Sequence, residues 1–145
     1  RHASVRHNVM LGARAGHTSS LSLLPSSEVI DHTMYSIERM GLTDKAKEPI
    51  RRLSGGQQRR VATARTLAQA PKLIMADEFL SELDEETLDS VLSEVTAYVR
   101  TSDAALIVVE HDVSRAKSMA DRLLVIDDGR VNPFLSGTTA VEVRV

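Results

Sequence analysis

Ser54-Gly55-Gly56 stands directly before a long helical pattern that runs from Gln57 to Ala70. Glycine lets a ligand come close to the main chain. The first turn of a helix carries N–H groups without internal partners at the positive end of the helix dipole. This stretch can therefore bind an anion, with phosphate the natural candidate. It also fits an ordinary Ser-capped helix after a glycine turn. Asp77 and Glu78 form a second chemical pair after the apolar run Leu73 to Ala76. That run reads as a buried parallel strand, and open α/β sheets place ligands at the carboxyl ends of such strands. Adjacent carboxylates on a strand point to opposite sides, so one can hold a hydrated magnesium ion while the other orients and deprotonates a water. An Asp-Glu pair that merely opens a loop is the plainer alternative. His111 follows a second apolar run, Ala104 to Val109, where a lone histidine fits a structural role as well as a catalytic one.

The elements that must position these groups follow from periodicity. Ser4 caps a short helix expected to end near Gly12, and the small, polar residues from Gly12 to Ser27 read as a surface loop. Ser27 can cap a helix from Glu28 to Met40 with Ile30, Met34, Ile37 and Met40 on one face and Gly41 at its end. A short helix after Thr43 is broken by Pro49, and Pro71 closes the helix that begins at Gln57. Asp84 caps a helix with the stripe Leu88, Val91, Leu92, Val95, Tyr98 and Val99. Val113 to Ala120 is helical, Leu123 to Ile126 is a third strand, and Asp128-Gly129 is a hairpin turn before Val131. Val141, Val143 and Val145 alternate as a last edge strand would. The expected architecture is α/β, a parallel sheet preceded by a separate helical unit; the division is expected at residues 1–70 and 71–145.

Composition narrows the function. The 145 residues carry a formal net charge of -2, which gives no electrostatic footprint for nucleic acid. Arg51, Arg52, Arg59, Arg60 and Arg65 cluster near the glycines, but no aromatic residues are interleaved for base stacking, and such clusters are usually solvated. Without cysteine there is neither a disulfide nor a thiolate metal site. The longest apolar run, Ala104 to Val109, is far short of the roughly 20 residues a membrane helix needs, and no stretch reads as a signal peptide. His2, His7, His17 and His32 show no metal-ligand spacing and read as surface residues.

Leu53-Ser54-Gly55-Gly56-Gln57, followed by Gln58-Arg59-Arg60-Val61-Ala62-Thr63-Ala64-Arg65, closely resembles the signature motif of ABC-type ATPases. Leu73 to Asp84 resembles their Walker B segment and D-loop, although Phe79-Leu80 and Glu82 replace the usual Pro-Thr and Ala. His111 has the order and spacing of the switch histidine, with Glu110 in place of Thr or Ser. The resemblance extends from about Val5 to Val131. It implies a P-loop NTPase core of the RecA-like type with an α-helical signature subdomain. It also implies ATP and Mg²⁺ as ligands, Asp77 on the metal, Glu78 as catalytic base and His111 on the γ-phosphate. Ser54, Gly55, Gly56 and Gln57 would cap a γ-phosphate held by a second copy, with Ser81 and Asp84 facing that copy. The spacer with Leu23-Leu24 and the run Met40 to Ala46 are similar to phosphonate-importer ATPases.

No G-x-x-x-x-G-K-[ST] occurs in the sequence, and no Gln precedes Gln57. The resemblance therefore implies the C-terminal part of a nucleotide-binding domain, with Walker A and the Q-loop glutamine upstream. The expected partners are a second nucleotide-binding domain and a transmembrane permease, and the expected location is cytoplasmic, peripheral on the inner face of the cell membrane. Alternatives are a soluble ABC ATPase of the chromosome-maintenance or translation-factor type, and a non-catalytic module that docks an intact domain. Unpaired sheet edges are expected to favour self-association.

Overall fold

The computed structural model describes residues 3–17, 24–77, 79–80 and 83–133. Glu78, Ser81, and the expected edge strand at Val141 to Val145 lie outside them. The order is α1 (Val5–His17), α2 (Ser27–Arg39), 3-10 turns at Thr43–Lys45 and Ile50–Arg52, α3 (Gly55–Ala68), β1 (Leu73–Asp77), α4 (Glu85–Thr101), β2 (Ala105–Val109), α5 (Val113–Met119), β3 (Leu124–Asp127) and β4 (Arg130–Pro133). The chain divides into two compact units. One comprises Arg1–Ile74 and Leu80–Leu106; the other comprises Met75–Phe79 and Ile107–Val145.

The first unit is built on a helical core. Val5, Val9 and Ala13 of α1, Val29 and Ile37 of α2, and Val61, Ala64 and Ala68 of α3 are buried together with Met40, Leu42, Ala46 and Leu53. In α1 and α3 the buried positions recur three or four residues apart, the repeat of one helix face. The buried face of α2 is rotated from the expected one: Val29, Thr33, Ser36 and Ile37 are covered, while Met34 lies outside. The polar Thr33 can sit inside because its hydroxyl donates to the Val29 carbonyl at 2.6 Å. Ser26, not Ser27, is the N-cap, accepting from the Val29 N–H. At the other end Gly41 has φ +62°, Gly41 N–H donates to Glu38 and Leu42 N–H to Ile37. This is a Schellman closure, with Leu42 and Ile37 both in the core.

α1 does not stop at Gly12 but runs five residues further. The glycines serve packing: a β-carbon at Gly12 would fall on the Arg65 carbonyl of α3, and one at Gly16 on the Gln69 carbonyl. Close approach of two backbones, not chain termination, explains them. A second correction concerns the histidines. His17 at the end of α1 and His32 on α2 stack with ring centroids 3.8 Å apart, and His17 Nδ1 lies 3.2 Å from Glu28 Oε1.

α4 covers Thr87, Val91 and Val95 and is tied to the strand entry by Tyr98 Oη donating to the Pro71 carbonyl at 2.8 Å and Lys72 Nζ to the Ser102 carbonyl at 3.0 Å. Arg39 of α2 pairs with Glu94 at 2.7 Å, which raises the guanidinium pKa further. β1 and β2 pair as neighbours. The bond from Ala105 N–H to the Lys72 carbonyl joins their beginnings, so they run parallel. Both strands are less covered than their apolar sequences suggest, with Leu73, Met75 and Ile107 at least half exposed.

In the second unit β3 and β4 form the expected antiparallel hairpin, with Asp127 opposite Arg130. Asp128 and Gly129 between them have φ of 51° and 72°, as a two-residue primed turn requires.

The Gly12 geometry gives a sign that helix propensity alone would reverse. Gly→Ala inside a helix ordinarily stabilises by about 0.5–1 kcal/mol, but overpacking costs about 1–3 kcal/mol. Gly12→Ala is expected to lower the denaturant midpoint; an unchanged or raised midpoint would refute the α1–α3 contact.

Candidate functional site

The glycine-rich turn is built around α3. Ser54 is extended (φ -63°, ψ 163°) and its Oγ accepts from the Gln57 N–H at 3.2 Å. Gln57 Oε1 in return accepts from the Ser54 N–H at 3.0 Å, a reciprocal capping box. Gln58 Nε2 donates to the Leu53 carbonyl at 3.0 Å and fixes the approach of the chain. Among the described residues, the N–H groups of Gly55 and Gly56 have no partner. These are the open donors of the α3 terminus.

Neither glycine is demanded by the fold. Positive φ occurs at Gly41 and Gly129, not at Gly55 or Gly56. A β-carbon at Gly55 would meet nothing within 4 Å among the described residues. One at Gly56 would touch Thr87 and Asp84 at 3.4–3.5 Å, ordinary contact. Two glycines that neither backbone nor packing needs, beside two open amides, leave room for a ligand at the main chain.

The start of α4 adjoins this turn in the same unit. Asp84 is its N-cap, and Oδ1 accepts from the Thr87 N–H at 2.9 Å. That hydrogen bonding holds the Asp84 carboxyl below its ordinary range, helped by the Arg60 charge. Arg60 donates to the Met40 carbonyl at 3.4 Å, and its Nε is buried without a hydrogen-bond partner among the described residues. A cavity of about 130 Å³ is lined by Arg60, Glu86, Thr87 and Ser90. Arg60 thus reaches the end of α2 and the start of α4 from one position on α3. Arg51, Arg52 and Arg65 are exposed, and Arg59 is half-buried.

The second unit holds the strand-end residues. Asp77 is exposed at the end of β1, and His111 is exposed two residues beyond β2. Because the strands run parallel, both leave the same end of the pair. The turn carrying His111 is braced by Glu110, whose Oε1 accepts from the N–H groups of His111 and Asp112 at 3.0 and 3.1 Å. Glu110 Oε2 meets Arg115 at 3.2 Å. Asp112 caps α5 by accepting from the Arg115 N–H, which lowers its pKa. This brace was not foreseen from sequence; a carboxylate five residues before an arginine, spanning a helix cap, was the available signal.

The family profile described as ABC transporter matches residues 2–81, more than half of the chain. The chain belongs to the ABC transporter family. Among its relatives is the glutamine transport ATP-binding protein GlnQ of Geobacillus stearothermophilus, 41% identical over 108 residues, covering 74% of this chain and 44% of the relative. Another is the phosphonates import ATP-binding protein PhnC 3 of Nostoc sp., 37% identical over 125 residues, 86% of this chain and 48% of the relative. A solved metal-chelate type ABC transporter in an inward-facing conformation aligns with TM-score 0.80 and 27% identity, over 91% of this chain and 52% of that one. The chain thus spans about half the length of each of these three proteins. Ser54 to Gln57, Asp77 and His111 fall on the α3 turn, the end of β1 and the exit of β2. No helix among the described residues is long and apolar enough to cross a membrane.

The α3 turn separates stability from ligand access. Ser54→Ala should cost about 1 kcal/mol through loss of the cap. Gly55→Ala should leave stability unchanged or raise it by up to about 1 kcal/mol, and a loss in chemical denaturation would show that the fold needs this glycine. The depressed Asp84 pKa gives a pH sign: its contribution is present above the ordinary carboxylate range and lost as pH falls through the lowered value. Asp84→Asn keeps a cap without that titration, so its stability should fall less on acidification.

Proposed function

We propose that this chain supplies the signature loop and the Walker B acids of an ATP-hydrolysing subunit that works in a head-to-tail pair and drives transport across a membrane. The observation that carries this reading is the pair of open amides at Gly55 and Gly56, beside glycines that the fold itself does not require. Donors set at a helix N-terminus suit the γ-phosphate of an ATP held by the facing copy. Ser54 and Gln57 hold the turn in shape, and Asp84, with Ser81, faces that copy. The division into a signature subdomain at 1–70 and a C-terminal part of the ATPase core at 71–145 belongs to the same reading.

Asp77, exposed at a strand end, suits a hydrated Mg²⁺, which when bound neutralises charge on the phosphate oxygens. Glu78 takes the proton from the attacking water as its oxygen bonds to the γ-phosphorus and the bond to the β-phosphate bridging oxygen breaks. His111, on a turn braced by Glu110 and Arg115, contacts the γ-phosphate. Positioning dominates phosphoryl transfer, so a loop presented by one copy can gate hydrolysis in the other.

One named relative is a transport and the other an import ATP-binding protein, which favours a transport partner over nucleic acid, and a permease at the inner membrane face is the proposed neighbour. They divide between glutamine and phosphonates; a phosphonate cargo rests on the likeness of Met40 to Ala46 and the Leu23-Leu24 spacer.

Fusing a segment that carries G-x-x-x-x-G-K-[ST] from an ABC ATP-binding domain ahead of this chain should produce Mg²⁺-dependent ATP turnover. Glu78→Gln should reduce that turnover by about a hundredfold or more, and Gly55→Ala should reduce it without loss of stability. The 145-residue chain alone should hydrolyse ATP negligibly. Turnover by the chain alone that vanishes in Glu78→Gln would contradict the shared-site reading.

A further inference from the structure

We propose that His17, Glu28 and His32 form a site for one divalent metal ion of the zinc class, clamping the end of α1 to the first turns of α2. The three residues each offer a ligand atom, and these atoms lie within 4.8 Å of one another. Glu28 and His32 are one helical turn apart on α2, so both side chains project from one face. His17 closes the set from the last position of α1.

Imidazole and carboxylate together suit zinc and its neighbours better than magnesium or calcium, which take oxygen ligands. Zinc–nitrogen bonds of about 2.0–2.1 Å place tetrahedral donors about 3.3 Å apart. His17 Nδ1 and Glu28 Oε1 already stand at 3.2 Å, so one edge of the coordination polyhedron is set. The remaining atoms need closing movements of about 1.5 Å at most, and half-buried His32 must also turn out of its stack on His17, because stacked rings hold their in-plane lone pairs parallel.

The burial is uneven in an informative way. The His17 side chain is only 12% exposed, and its Nε2 is buried with no hydrogen-bond partner among the described residues. That atom lies on the ring edge away from Nδ1, the nitrogen that faces Glu28, so it is Nδ1 that joins the carboxylate and the second imidazole as an electron-pair donor to a cation. With three protein ligands, water completes the fourth position.

The test is titration of the purified chain with Zn²⁺ against a chromophoric chelator, and with Co²⁺ followed by visible absorption. One ion per chain is expected, with tetrahedral Co²⁺ bands. His17→Gln and His32→Gln should each weaken Zn²⁺ binding at least tenfold, while His7→Gln leaves it unchanged. Circular dichroism separates ligand loss from unfolding, and exposed Glu28 supplies a variant with no packing to lose: Glu28→Gln should also weaken binding at least tenfold. Equal affinity in Glu28→Gln, or in the combined His17→Gln and His32→Gln variant, would overturn the site and leave a stacked pair hydrogen-bonded to Glu28.

Discussion

Every α-helix begins with amide groups that have no partner inside it, and in α3 the Ser54–Gln57 box decides which of them stay open. The box uses the Ser54 and Gln57 N–H groups, and Gln58 N–H bonds to the Ser54 carbonyl. What remains are the amides of Gly55 and Gly56. An isolated capped helix would show the same pattern. Here the two residues bearing the open donors are also the two with the least side-chain bulk, without a conformational or packing reason. In the proposed reading a side chain would stand between those donors and a phosphate, and its absence leaves the terminus open.

The turn must be held still for this to matter, and the first unit does so from behind. Val61, Ala64 and Ala68 place α3 in the common core with α1 and α2. Gly12 and Gly16 let α1 approach the carbonyls of Arg65 and Gln69. Arg60 ties the same helix to the Met40 carbonyl and lies near the Asp84 carboxylate. The strand-end chemistry is organised by different means. There Glu110 and Arg115 form a small charged brace under the His111 turn.

Elements with a local cause were readable from sequence. Asp128-Gly129 has one favoured use, and the hairpin follows. Asp84 and Ser54 cap where their side chains can reach an amide three residues on. Features that depend on a distant partner were not. Gly12 reads as a helix end because nothing local reveals the α3 carbonyl against it. Thr33 lies off the apolar face Ile30, Met34, Ile37 and Met40, and its bond to the Val29 carbonyl lets it sit on the buried face of α2. His17 and Glu28 are eleven residues apart, and only the folding of α1 onto α2 brings His17 to His32. The spacing of metal ligands in a sequence shows only those that share an element.

The central claim is that Gly55 and Gly56 present free amides to a phosphate held by another copy. The most direct measurement is amide nuclear magnetic resonance of the isotope-labelled chain, titrated with an intact, ATP-loaded ABC ATP-binding domain. The account predicts that the Gly55 and Gly56 resonances shift most, while the Gln57 amide, already bonded to Ser54, moves little. Binding that leaves both glycine amides unmoved, or that shifts Gln57 in their place, would contradict it.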